Sequence, residues 1–137
     1  LYSLGLHWRI EKLITMIEEI NEQFNGIIPQ EKESLMSLSG VSDYISSALR
    51  CFYFGKAEAL IDTNTTRIIG RVFGLEIKDS SRRNKSFINL LNILLSNNNP
   101  ATYNYALLDL AHLRCYPKMP LCEKCPLLKF PCKFSEH

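Results

Sequence analysis

The chain is 137 residues long, 46% hydrophobic and 22% charged, with a formal net charge of +2; this is ordinary globular composition, enough for one domain or two small lobes with a buried core. No apolar run reaches the roughly 18 residues a membrane span needs, and Leu1 to Arg9 lacks the basic-then-apolar order of a signal peptide, so a soluble, intracellular protein is expected. Residues 1–36 hold three basic and six acidic side chains and residues 37–137 hold thirteen and eight, which makes the later part the one suited to face phosphate.

Apolar Ile10, Leu13, Ile14, Ile17 and Ile20 recur at helical spacing between Trp8 and Phe24, and Asn25-Gly26 ends that amphipathic helix. Pro29 opens a second, short helix through Leu38, and Ser42 to Phe54 reads as a third, stopped by Gly55. Leu38-Ser39-Gly40-Val41-Ser42 joins the two. A short linker, Ala57 to Ile61, leads to Asp62, which stands at the entrance of a helix over Thr63 to Phe73. Lys78 to Lys85 is a polar loop, Phe87 to Leu95 is an apolar helical stretch, and Asn97-Asn98-Asn99-Pro100 breaks it. A last helix, Ala101 to Arg114, runs into the first of a group of cysteines. With no strand pattern and no repeat, the fold class is all-α.

Five cysteines is an odd number, and four of them fall in the last 23 residues, which is not the pattern of a secreted disulfide scaffold. Cys51 sits apart in an apolar helical stretch and reads as a buried apolar residue. The other four are spaced Cys115-x6-Cys122-x2-Cys125-x6-Cys132, with prolines at 117, 120, 126 and 131 and Lys118, Lys124 and Lys129 between them and Lys133 directly after. Such a loop has few apolar contacts of its own to offset a backbone ordering cost of about 1–2 kcal/mol per residue, so an inorganic centre is expected to hold it. Four thiolates suit tetrahedral zinc or an iron-sulfur cluster, and the spacing alone leaves both open. The lysines would then be fixed on one surface, where they can lie along a phosphodiester backbone.

Three segments together resemble the endonuclease III and MutY superfamily of DNA glycosylases. Leu38-Ser39-Gly40-Val41-Ser42-Asp43-Tyr44 resembles the family hairpin Leu-Pro-Gly-Val-Gly, with Ser39 in place of proline and Ser42 in place of the second glycine. Leu60-Ile61-Asp62-Thr63-Asn64 resembles the catalytic Val-Asp-Thr segment. Asn104-Tyr105-Ala106-Leu107-Leu108-Asp109-Leu110, leading into the cysteine loop, is similar to MutY-type and thymine-mismatch members. The resemblance covers essentially the whole chain. It implies a helix-hairpin-helix glycosylase fold and a four-iron, four-sulfur cluster on Cys115, Cys122, Cys125 and Cys132, with zinc as the alternative. The gap before Cys132 is one residue longer than the family's, making Cys132 the least secure ligand.

The same resemblance implies double-stranded DNA with a mismatched or damaged base as the partner. The hairpin amides of Gly40, Ser42 and Tyr44 would bind a phosphate, as backbone N–H groups at a helix start do, although the segment taken alone is also an ordinary tight turn. Asp62 would stabilise positive charge on the sugar of a flipped nucleotide and orient water; taken alone, it is a helix cap. The position of the lysine that forms a Schiff base in strand-cutting members is held by Tyr44, which cannot form an imine. That substitution points to a monofunctional enzyme and to the thymine-mismatch branch, unless Tyr44 is simply a half-buried helix residue. Arg9, Lys12, Arg50 and Lys56 are softer phosphate candidates, and Arg67 with Asp109 a candidate structural pair.

Two lobes are expected: residues 1–56, a partial helical lobe containing the hairpin, and residues 57–137, carrying Asp62 and the cysteine loop. Family enzymes have further helices before the segment that resembles Leu1 to Arg9, so an incomplete N-terminal lobe is expected, belonging to a fragment, a chain completed by a partner or a reduced relative. The functional expectation is base excision of thymine or uracil opposite guanine. The alternatives are a MutY-type adenine glycosylase, a non-catalytic DNA-binding module, and, more distantly, a zinc-stabilised helical interaction domain with no nucleic-acid partner.

Overall fold

A computed structural model describes residues 7–95 and 99–134, all of whose regular elements are helical. Asn97 and Asn98, expected to break a helix, lie outside the described residues, as do the first six residues of the opening segment. No described helix is long and apolar enough to cross a membrane. The chain divides into two units, Leu1–Phe54 and Gly55–His137.

The first unit begins with α1, His7–Phe24. Gly26 N donates back to Ile20 O at 3.1 Å, a closure that satisfies an end carbonyl of the helix. Its apolar stripe is real but uncovered: α1 has no buried residue, and Trp8, Leu13, Ile14 and Ile17 are about half exposed. Helix α2, Lys32–Ser37, starts later than Pro29 implies. Arg50 NH1 donates to Gln30 O at 2.5 Å and holds the approach, so Glu31, in extended conformation, becomes the N-cap. Helix α3, Asp43–Phe52, packs on α2 around buried Leu35, Leu38 and Cys51. Lys32 links the two helices, 3.0 Å from Asp43 and 3.2 Å from the hydroxyl of Ser47.

The second unit is organised around α4, Thr63–Phe73, which packs on α6, Pro100–Leu113. Asp62 caps the start of α4 and Gly74 stops it with a left-handed φ of 65°. The polar segment expected as a loop contains a 3-10 turn, Asp79–Arg83, ahead of α5, Lys85–Leu94. Asn84 caps α5 by accepting from Ser86 N and Phe87 N, which starts that helix two residues earlier than its apolar pattern does. Ala59, Ile69, Phe87 and Leu91 form the core cluster, with Ile61, Leu90 and Leu94 packed against it. Burying a side chain of the size of Phe87 or Leu91 contributes about 1.5–3 kcal/mol.

Asn104 fixes the approach to α4. It is 1% exposed, its Oδ1 accepts from Leu60 N at 3.1 Å, and its Nδ2 donates to Glu58 O at 2.8 Å. This one amide satisfies two backbone groups of the non-helical segment that delivers Asp62. Asn104→Ala is expected to cost about 2–4 kcal/mol, because each group loses its partner in a dry environment. A urea titration checks this, and an unchanged midpoint would contradict it.

Candidate active site and cysteine loop

Asp62 is a helix cap by geometry. Its Oδ1 accepts from Asn64 N at 2.9 Å and Thr65 N at 2.8 Å, while its own N–H donates to Thr65 Oγ1 at 3.0 Å. The Thr66 hydroxyl donates to the Asp62 carbonyl. Its Oδ2 accepts from the Asn64 side chain at 3.0 Å. The carboxylate therefore has a single fixed orientation, is half-buried, and keeps further acceptor capacity on Oδ2. Oδ1 serves the two backbone amides and the Thr65 hydroxyl, at 3.2 Å, while Oδ2 accepts from the Asn64 side chain.

Asn64 continues outward from this centre. Its Oδ1 accepts from Arg67 NH1 at 3.0 Å, and Arg67 Nε donates to the carbonyl of Cys115 at 3.0 Å. Arg67 also reaches Ala111 O at 3.5 Å. The pairing of Arg67 with Asp109 expected from sequence does not form: Asp109 is exposed, and the guanidinium is taken up by Asn64 and two carbonyls.

Arg71, one turn further along α4, organises the cysteine loop, a role the sequence reading missed. Its NH1 lies 3.3 Å from Cys115 Sγ and 2.7 Å from Tyr116 O, and its NH2 lies 2.7 Å from Pro117 O. Its guanidinium stacks 4.4 Å from the ring centroid of Phe134. The far end of the loop returns to the same place: Lys133 N donates to Val72 O and Phe134 N to Arg71 O, both at 3.1 Å. One arginine thus touches the loop where it leaves α6 and where it ends.

Between these anchors the loop forms two 3-10 turns, Cys122–Lys124 and Pro126–Lys129. Cys115, Cys122, Cys125 and Cys132 are unbridged and half-buried, and all four line one partly open cavity with Ile68, Leu110 and Leu127 among its apolar walls. Burial pushes the Cys122 thiol up, the Cys115, Cys125 and Cys132 thiols add to the effect, and the Arg71 charge opposes it. Among the described residues no three His, Cys, Asp or Glu side chains are grouped so as to hold one metal ion. Cys51, 1% exposed, stands apart in the first unit.

In the first unit, the hairpin puts its positive φ at Gly40 alone, at 82°. Ser42 is extended, with φ −86° and ψ 168°, so it does not need the freedom of the family's second glycine. Instead its Oγ accepts from Ile45 N at 3.3 Å and caps α3. Gly40 and Ser42 are exposed and Tyr44, in the first turn of α3, is half-buried. Trp8, Arg9 and Lys12 of α1 line one groove with Gly40 and Ser42. Arg50 is engaged by Gln30 within its own unit.

A hairpin between two helices, a capped carboxylate opening the next long helix and a loop of four cysteines after the last are the features by which the chain resembles the endonuclease III and MutY superfamily of DNA glycosylases. It is 38% identical over 139 residues to a thymine/uracil-DNA glycosylase of Pyrobaculum aerophilum, covering 97% of this chain and 60% of the relative. It is 30% identical over 135 residues to the thymine/uracil-DNA glycosylase of Methanothermobacter thermautotrophicus, covering 98% and 61%. The solved structure of a thermostable thymine-DNA glycosylase matches with a TM-score of 0.86 at 28% identity, covering 95% of this chain and 60% of that one. No family model matches. The chain spans about 60% of the length of these relatives.

Proposed function

We propose that the protein is a monofunctional DNA N-glycosylase of base excision repair, working inside the cell on thymine or uracil opposite guanine. The observation that carries this reading is Asp62: a half-buried carboxylate fixed by the α4 amides and Asn64, in the segment that resembles the family's catalytic one. A fixed negative charge is what a sugar developing oxocarbenium character requires, since it pays no reorganisation cost as the charge appears. The base choice is supported by the relatives described above, both named for thymine and uracil.

The donor set and the cavity support a four-iron, four-sulfur cluster held by Cys115, Cys122, Cys125 and Cys132. When bound, it supplies a rigid inorganic core for a loop with few contacts of its own. Arg71 and Arg67 position that loop against α4 and α6. The exposed lysines of the loop and the hairpin at Gly40 and Ser42 meet the DNA backbone, giving affinity that falls with salt. Iron and zinc assays with a visible spectrum test the cluster: stoichiometric zinc in colourless protein prepared without oxygen would overturn it.

The enzymatic reading is tested by base release from duplexes carrying guanine opposite thymine or uracil, against adenine opposite guanine or oxidised guanine. Release from the first set is expected. Release of adenine alone would move the protein to the adenine branch, and tight binding without release of any base would make it a DNA-binding module. Monofunctionality has its own check. Borohydride reduction in the presence of abasic duplex traps enzymes that form an imine; with Tyr44 at the lysine position, no trapped species is expected, and an abundant one would overturn this part of the reading.

A further inference from the structure

The hairpin departs from its family pattern at Ser39, and α1 answers the departure. Both donors of Ser39 go to one carboxylate: its backbone N–H to Glu19 Oε2 at 2.6 Å and its hydroxyl to Glu19 Oε1 at 2.6 Å. The hydroxyl and amide bonds hold the Glu19 carboxyl below its ordinary value of 4.5, against a smaller desolvation effect, so it is charged at neutral pH. Lys12, two turns earlier on α1, lies against the next residue: its stem is 3.5 Å from where a Cβ on Gly40 would stand. One helix thus grips the hairpin at consecutive positions.

Proline in a hairpin fixes φ and removes a backbone donor. A bidentate carboxylate reaches the same end by different chemistry, since it consumes the donor and ties the side chain of the same residue.

We propose that Glu19 is the positioning residue of the hairpin, its two bonds to Ser39 replacing the rigidity of proline and presenting the Gly40 and Ser42 amides to a DNA phosphate. The role in DNA binding rests on the function proposed above; the ordering of the hairpin does not. The test is amide hydrogen exchange across the full-length protein, with affinity for a duplex containing a stable abasic-site analogue measured in parallel. Glu19→Ala is expected to speed exchange about tenfold at residues 39–44 and to weaken duplex affinity by a similar factor, with α4 to α6 unchanged. Leu38 is extended, with φ −76° and ψ 143°, a conformation allowed before proline. Ser39→Pro is therefore expected to fold, and in its background Glu19→Ala is expected to change neither readout. Exchange at 39–44 within twofold of the parent in Glu19→Ala, or a further loosening by Glu19→Ala in the Ser39→Pro background, would overturn the proposal. Failure of the parent protein to bind any duplex would instead overturn the DNA-binding reading, with the exchange result still deciding the role of Glu19.

Discussion

Asp62→Asn is expected to lower single-turnover base release by about a thousandfold while leaving the fold nearly intact. Asparagine is as good an N-cap as aspartate, so the bonds from Asn64 N and Thr65 N can persist and stability should change by a few tenths of a kcal/mol. What disappears is the charge. Asp62→Ala removes both, and should add a loss of about 1 kcal/mol in denaturant titration. The pair of substitutions separates the two roles that one side chain combines. Base release by Asp62→Asn within tenfold of the parent would place the decisive charge elsewhere, and an equal stability loss for both variants would show that the cap depends on charge.

Arg71→Ala should damage the second unit in one particular place, the cysteine loop. It removes hydrogen bonds to Tyr116 O and Pro117 O, the contact with Cys115 Sγ and the stack on Phe134. Bonds from a charged donor are worth about 1.5–3 kcal/mol each, and these are partly exposed, so a total of about 2–3 kcal/mol is expected. The specific readout is cofactor retention: iron content and visible absorbance after gel filtration should fall at least severalfold against the parent. Arg71→Lys should fall too, because a point charge cannot serve two carbonyls and an aromatic face from one fork. Full iron content in Arg71→Ala would show that the four thiolates order the loop unaided.

What could be seen in the sequence was local. The bounds of α4 coincide with the expected Thr63 to Phe73 because its signals are adjacent to it: Asp62 before the first turn and Gly74 after the last. The start of α2 was misplaced because Pro29 is a permissible first residue and the decision is made by Arg50, 20 residues away, bonding Gln30 O. The 3-10 turn at Asp79–Arg83 was hidden in a run of polar residues without a period. At the candidate site, the helix-entrance position of Asp62 and the grouping of the four cysteines were legible because motif and spacing lie in the chain itself. Arg71 and Asn104 were not. Their partners are 44 to 46 residues away, and an arginine on a helix or an asparagine near a helix start has no local mark that distinguishes a structural bond from a solvated side chain. Glu19 was invisible for the same reason, its partner Ser39 being 20 positions on.

The half-exposed position of Trp8 gives the protein a built-in optical reporter. It is the sole tryptophan of the chain, it stands on the uncovered face of α1, and it shares a groove with Arg9, Lys12, Gly40 and Ser42. Its indole is within 5.5 Å of two cationic groups, both of which would be redirected by an arriving phosphate. Emission from this one ring, excited apart from the six tyrosines, therefore reads the polarity of a single patch of the chain. Titration with duplex should change its intensity in step with occupancy of the hairpin, whereas anything that buries the apolar stripe should shift its emission to shorter wavelength.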